Sequence, residues 1–191
     1  MVRENDLGRR GFRAWAFLPG MLFNSAVKWW GGGGRRALSH EGIDLCLFED
    51  RLGRLFSVGQ GTRVTAMYGG RVVAVIDDFL GKSVLIEHRR PRAAPGLFLT
   101  VYGHTSVREG LRPGSAVTEG EIIGRVAGPG KSKARAYPHL HVSLARPLAE
   151  AAYETVTWRD LNNPQLFTMI DPLEVLDGPC VCLSGTVKAP V

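Results

Sequence analysis

The chain has 191 residues and a mass of 20.8 kDa, with 45% hydrophobic and 22% charged residues, which is room for one domain with its own core and a terminal extension. Its net charge of +6 and pI of 9.6 suit a solubilising basic surface or an anionic partner such as acidic lipid or an acidic cell-wall polymer. No segment interleaves basic and aromatic residues as a nucleic-acid module does, and none approaches the length of a membrane-spanning helix, so the reading sets nucleic acid and a transmembrane segment aside.

The N-terminal Arg9-Arg10-Gly11-Phe12 precedes an apolar stretch from Ala14 to Val27 that ends near small residues, as a twin-arginine export signal does. Pro19-Gly20 and Asn24 interrupt it and Trp29-Trp30 follow, which favours a folded first strand over a cleaved signal. A strand region is expected at Met21 to Trp30, then a flexible Gly31–Gly34 segment leading to Arg35-Arg36, then a buried strand from Ile43 to Phe48. The runs Thr62 to Tyr68 and Arg71 to Ile76 flank Gly69-Gly70 and predict a hairpin. Further strands are expected at Ser83 to His88, after the Pro91–Pro95 turn at Leu97 to Tyr102, in the turn-rich stretch from Gly110 to Gly124, and at Leu140 to Leu144; a short helix is expected within Pro147 to Tyr153. The fold class expected is mainly β, built of antiparallel sheets with irregular or helical excursions at the ends.

Five histidines occur, and four fall in three concentrated features: His40-Glu41-Gly42-Ile43-Asp44, Tyr102-Gly103-His104 and Pro138-His139-Leu140-His141. Residues two apart on a strand share a face, so His139 and His141 address one volume while Leu140 faces the opposite layer. Imidazole nitrogens suit zinc, an aspartate oxygen can complete a three-ligand set, and a fourth position left to water distinguishes a catalytic from a structural site. Each feature alone is weak; together, beside apolar strand residues, they point to a metal site. The absence of a His-Glu-x-x-His helix excludes the helical metalloprotease geometry. His88 reads as a structural histidine, Glu41 as pointing away from Asp44's partners, and Trp29 and Trp30 as core or groove-wall residues. Cys46, Cys180 and Cys182 form neither a complete disulfide framework nor a zinc knuckle, and Cys180 and Cys182 read as incidental thiols.

These motifs resemble the M23 metallopeptidases, also called the LytM or lysostaphin-type domain, over His40 to about Pro172 and in the family's motif order. Gly61-Thr62-Arg63-Val64 through Gly70-Arg71-Val72-Val73 is similar to the family's hairpin, glycines 110, 114, 120 and 124 to its turn region, and Asp171-Pro172 to its closing pair. The resemblance implies antiparallel sheets of the duplicated-hybrid-motif type, with a groove that holds one zinc. It further implies zinc ligation by His40, Asp44 and His141, with His139 as general base and His104 assisting at the water or the oxyanion. The substrate implied is peptidoglycan peptide, cut at the cell envelope, in the periplasm or outside the cell. A peptidase domain is then expected at 37–172, after an extension and first strand region at 1–36 and before a tail at 173–191. The stretch Gly128 to Tyr137 is basic where the family is rich in Gly, Ser and Thr, and reads equally as a carboxylate-recognising or a solvated loop. The intact motif set favours chemistry over a noncatalytic LytM-like cell-wall binding or regulatory domain. Lipoyl- or biotinyl-carrier domains would need a lysine at a hairpin tip, and a phosphohistidine carrier would not require Asp44.

Overall fold

The computed structural model describes residues 1–89, 97–129, 137–148, 153–176 and 178–184. Its strands are β1 (Phe12–Phe17), β2 (Ile43–Leu45), β3 (Leu47–Asp50), β4 (Leu55–Ser57), β5 (Arg63–Thr65), β6 (Gly70–Asp77) and β7 (Lys82–Arg89). They continue with β8 (Leu97–Val107), β9 (Ala116–Val117), β10 (Ile122–Val126), β11 (Leu140–Pro147), β12 (Phe167–Ile170) and β13 (Cys180–Cys182), and a short helix α1 (Trp158–Leu161) precedes β12. The mainly β, antiparallel expectation is borne out.

A nine-stranded sheet has β12, β11, β8, β7, β6 and β9 as its backbone order, with β2 paired to β11 and β10 to both β8 and β5. A four-stranded sheet in the order β13, β1, β3, β4 packs beside it, and among the described residues only its β1–β13 pair is parallel. The main core lies between the sheets, where Trp15, Phe17 and Phe48 meet Val72, Val84, Tyr102, Leu140 and Val142. The strand alternation puts Leu85, Leu99, Val101 and Ala145 on the other face of the large sheet, where Val156, Leu161 and Phe167 cover them. That second face is only partly covered. The cleft opens on it.

Several expectations change. Met21 to Trp30 is not a strand: Pro19–Met21 is a 3-10 turn, Asn24 has a φ of 59°, and the backbone at 24–25 exchanges hydrogen bonds with His40 instead of a neighbouring strand. The strand instead lies at β1, upstream of Pro19. Ile43 to Phe48 divides at Cys46 into β2 and β3, which join different sheets. The Gly69-Gly70 hairpin does not form, because β5 pairs with β10 and β6 with β7 and β9. Gly70 serves close approach rather than a turn: a Cβ there would lie 2.3 Å from the Glu87 carbonyl oxygen and 2.7 Å from His88 Nδ1. The Pro91–Pro95 turn, most of the basic 128–137 loop and most of the expected 147–153 helix fall outside the described residues. The helix that is described, α1, starts later, where Thr157 caps it and Asp160 reciprocates.

Candidate active site

Strand pairing assembles the first three residues. His141 on β11 stands directly opposite Asp44 on β2 and opposite Gly103 on β8. Gly42 is required where the His40 loop enters β2, since a Cβ there would lie 2.2 Å from the Val142 carbonyl oxygen. His40, Asp44 and His141 are all buried, and one ligand atom from each can face a common ion. His40 Nε2 lies 3.1 Å from His141 Nδ1 and 3.2 Å from Asp44 Oδ1, and His141 Nδ1 lies 2.9 Å from the same oxygen.

The remaining atom of each group is held from behind. His40 Nδ1–H donates to the Leu22 carbonyl at 3.0 Å, which fixes the tautomer because a carbonyl can only accept. Trp29 Nε1–H donates to Asp44 Oδ2 at 2.6 Å, and His141 Nε2 pairs with the Ser143 hydroxyl at 2.7 Å. Such partners orient metal ligands. Tetrahedral donors around zinc stand about 3.3–3.5 Å apart, slightly wider than this triangle, so the donor set fits that ion with a small outward adjustment. Burial alone would push the Asp44 carboxyl up, but the surrounding imidazoles outweigh it and hold it well below the usual range.

His139 shares the cleft face of β11's entry with His141, while Leu140 points into the core between the sheets. Its Nδ1–H donates to the Tyr137 carbonyl at 2.7 Å, and its Nε2 lies 3.6 Å from Asp44 Oδ1. Burial pushes His139 down to about 4, against the opposing pull of Asp44, so the imidazole is neutral near pH 7. The edge of Trp29 packs on it at 5.0 Å between ring centroids.

His104 enters by a different device. It has a φ of 59° within β8, where the register against β7 shifts between Lys82 and Val84. This bulge re-aims one side chain out of the strand's alternation, and places the His104 ring 4.8 Å from that of His139. Asp78, at the β6–β7 turn, accepts the His104 backbone N–H at 2.8 Å through Oδ2 and faces His104 Nδ1 at 3.1 Å through Oδ1. The Leu80 and Gly81 amides and the Ser83 hydroxyl also donate to Asp78, and Trp158 Nε1–H reaches Ser83 at 3.2 Å. Burial raises the Asp78 carboxyl, yet His104 and Ser83 carry it below the usual range.

A cavity of about 320 Å³ is lined by the four cleft histidines and Asp44 together with Trp30, Arg36, Glu41, Asp78, Phe79, Trp158 and Asn162. Every sequence-predicted site residue is therefore in one place. Glu41 corrects its expectation: it precedes β2, so strand alternation does not govern it, and its Oε1 stands 3.6 Å from His141 Nε2. His88 lies elsewhere, satisfied by the Gly69 carbonyl and Thr100 hydroxyl. Cys46 is buried, with its thiol pushed up to about 12, and Cys180 and Cys182 are exposed on β13. Asp78, Arg36, Ser143 and Trp158 were not legible as site residues. Asp77-Asp78 before Phe79-Leu80-Gly81 reads only as a turn, and Arg36 only as the end of a glycine run.

The sequence model of Peptidase family M23 matches residues 49–152, a span that includes His104, His139 and His141 and leaves His40 and Asp44 outside it. Among solved structures, the catalytic domain of the prophage-encoded M23 protein EnpA from Enterococcus faecalis is 27% identical; the match covers 58% of this chain and 71% of that one, with a TM-score of 0.38. A structure of the SpoIIQ–SpoIIIAH pore-forming complex is 19% identical, covering 90% and 87%, with a TM-score of 0.47. Lysostaphin is 22% identical with a TM-score of 0.44; the match covers 82% of this chain and spans only 51% of lysostaphin's length. No curated protein matches the chain.

Proposed function

The chain belongs to peptidase family M23, and on that footing we propose that it is a zinc-dependent endopeptidase cutting peptide bonds of bacterial peptidoglycan at the cell envelope or outside the cell. The observation that carries the reading is the buried His40–Asp44–His141 triangle with the neutral His139 beside it. The catalytic unit in this proposal is 37–172, with 1–36 as an extension and 173–191 as a tail.

His40, Asp44 and His141 would hold the metal, which when bound supplies Lewis-acid polarisation of the scissile carbonyl and activation of water. The remaining work belongs to the chain. His139 Nε2 has its lone pair towards the cleft, because Nδ1 carries the proton given to Tyr137, and so takes the proton of the attacking water. Asp78 engages His104 at Nδ1 and at the backbone, leaving Nε2 to hydrogen-bond the water or the developing oxyanion. Trp29 and Ser143 keep the Asp44 carboxylate and the His141 ring from turning.

Purified protein is expected to hold about one zinc per chain, read by elemental analysis, and to release new amino groups from purified peptidoglycan. His141→Ala should lose both the metal and the activity, whereas His139→Ala should keep the zinc and lose turnover. Zinc-loaded wild type that releases no amino groups would sink the endopeptidase reading in favour of a noncatalytic one.

A further inference from the structure

The cleft carries a positive charge that makes no hydrogen bond to the metal triangle and takes no part in the proton transfers. Among the described residues that line it, Arg36 is the single permanent cation, against the carboxylates of Glu41, Asp44 and Asp78. Its side chain is 14% exposed and is held along its Nε/Nη2 edge: Nε–H donates to the Val27 carbonyl at 3.2 Å and Nη2–H to the Gly20 carbonyl at 2.9 Å. The guanidinium lies over the Trp30 ring, 4.4 Å from its centroid, which fixes the plane of the fork. A guanidinium has five N–H donors, and among the described residues these two carbonyls are its hydrogen-bond acceptors.

Arg36 is also not what holds Asp44. Its Nη2 stands 3.7 Å from Asp44 Oδ2, beyond hydrogen-bond reach, whereas Trp29 Nε1 donates to that oxygen at 2.6 Å. The result is a desolvated, oriented guanidinium with spare donors at the wall of the cleft, next to the site of bond cleavage. Such a fork matches a carboxylate in a bidentate pair. Asp44 belongs to the metal triangle and its Oδ2 stands 3.7 Å from Arg36 Nη2, so the guanidinium lies beside that triangle.

We infer that Arg36 anchors a substrate carboxylate, and that the preferred substrate carries that carboxylate on a residue adjoining the scissile bond. The inference rests on the peptidase reading above and narrows its substrate class. The carboxylate has two chemical sources, the free C-terminus of a peptide cut one residue from its end or an acidic side chain beside the cut. Trp30 pre-orients the fork, so little conformational freedom is lost when the carboxylate docks.

The test uses the zinc-loaded full chain and short synthetic peptides of one sequence in three forms: a free C-terminal acid, its amide, and the amide with an Asp next to the bond in place of Asn. Binding is measured calorimetrically in the His139→Ala protein, where turnover is stopped, and kcat/KM in the otherwise native protein. At least one carboxylate form is expected to bind about tenfold or more tighter than the neutral amide, with the gain in KM rather than kcat. The acid and Asp arms identify the source. Arg36→Gln should bring that ratio towards one and Arg36→Lys should recover part of it, while both variants keep one zinc per chain. Equal binding of charged and neutral forms overturns the inference, as does a ratio that survives in Arg36→Gln. Loss of zinc in Arg36→Gln would overturn it in favour of a supporting role for Asp44, and so would failure of every form to bind. Tight, Arg36-dependent binding without any cleavage would uphold the anchor and reject the peptidase reading.

Discussion

Asp78 is the residue on which the position of His104 depends. His104 holds a left-handed backbone conformation that costs a non-glycine residue of order 1 kcal/mol or more, and such a conformation persists only where its surroundings fix it. The Asp78 carboxylate does so at two points, the backbone amide and the imidazole, and is itself tied to three further donors. Asp78→Asn retains a polar group but lacks the acceptor capacity to serve all of these donors, so His104 should lose its alignment. The expected outcome is a fall of about 10- to 100-fold in kcat with zinc content unchanged, measured on protein whose circular dichroism shows the native β signature. Loss of zinc would instead make Asp78 a support of the metal triangle.

At the scale of elements, what was legible in the sequence is what local alternation controls. β7, β8 and β11 follow from β-branched runs, and the pairing of His139 with His141 follows from the period of two along a strand. The three motifs therefore mark the candidate site without any knowledge of strand order. What local pattern cannot carry is partner choice. β5 and β6 look like a hairpin around Gly69-Gly70, yet β5 pairs with β10, far along the chain, while β9 pairs with β6 on the side away from β7. The bulge at His104 was equally hidden, since one extra residue in β8 leaves its composition unchanged. Nor could the Met21–Trp30 segment be recognised as a brace for His40 and Asp44, because its hydrogen bonds run to residues identified only by the fold. The Gly70 contact offers a test of the observed pairing. Gly70→Ala would press a methyl group into the Glu87 carbonyl and His88, and should cost about 1–3 kcal/mol of stability in urea unfolding. A loss near zero would mean that the backbone at 70 does not approach β7 this closely, and would count against the observed pairing.

For the molecule as a whole, the two-faced sheet buries titratable groups on both of its sides, and this couples folding to pH. His139 on the cleft face and His88, beside Phe98 and Tyr68, are both lowered by burial from the ordinary 6.5, His139 to about 4. A histidine whose folded value lies below its unfolded one stabilises the fold fully above about 6.5 and loses that contribution as pH falls towards the folded value. For His139 the interval corresponds to about 3 kcal/mol, and His88 adds to it with the same sign. Asp78 acts lower down. Its folded value is below the ordinary carboxylate range, so its contribution is present above about 3.9 and is lost as pH falls through that lower folded value. Metal-free protein, prepared with a chelator, should therefore unfold at progressively lower urea concentrations between pH 7 and pH 4.5, with a further loss below pH 4. A midpoint that stays flat from pH 7 to pH 4.5 would mean that both imidazoles remain hydrated in the folded chain, and that the cleft is open to water at His139 before any substrate enters.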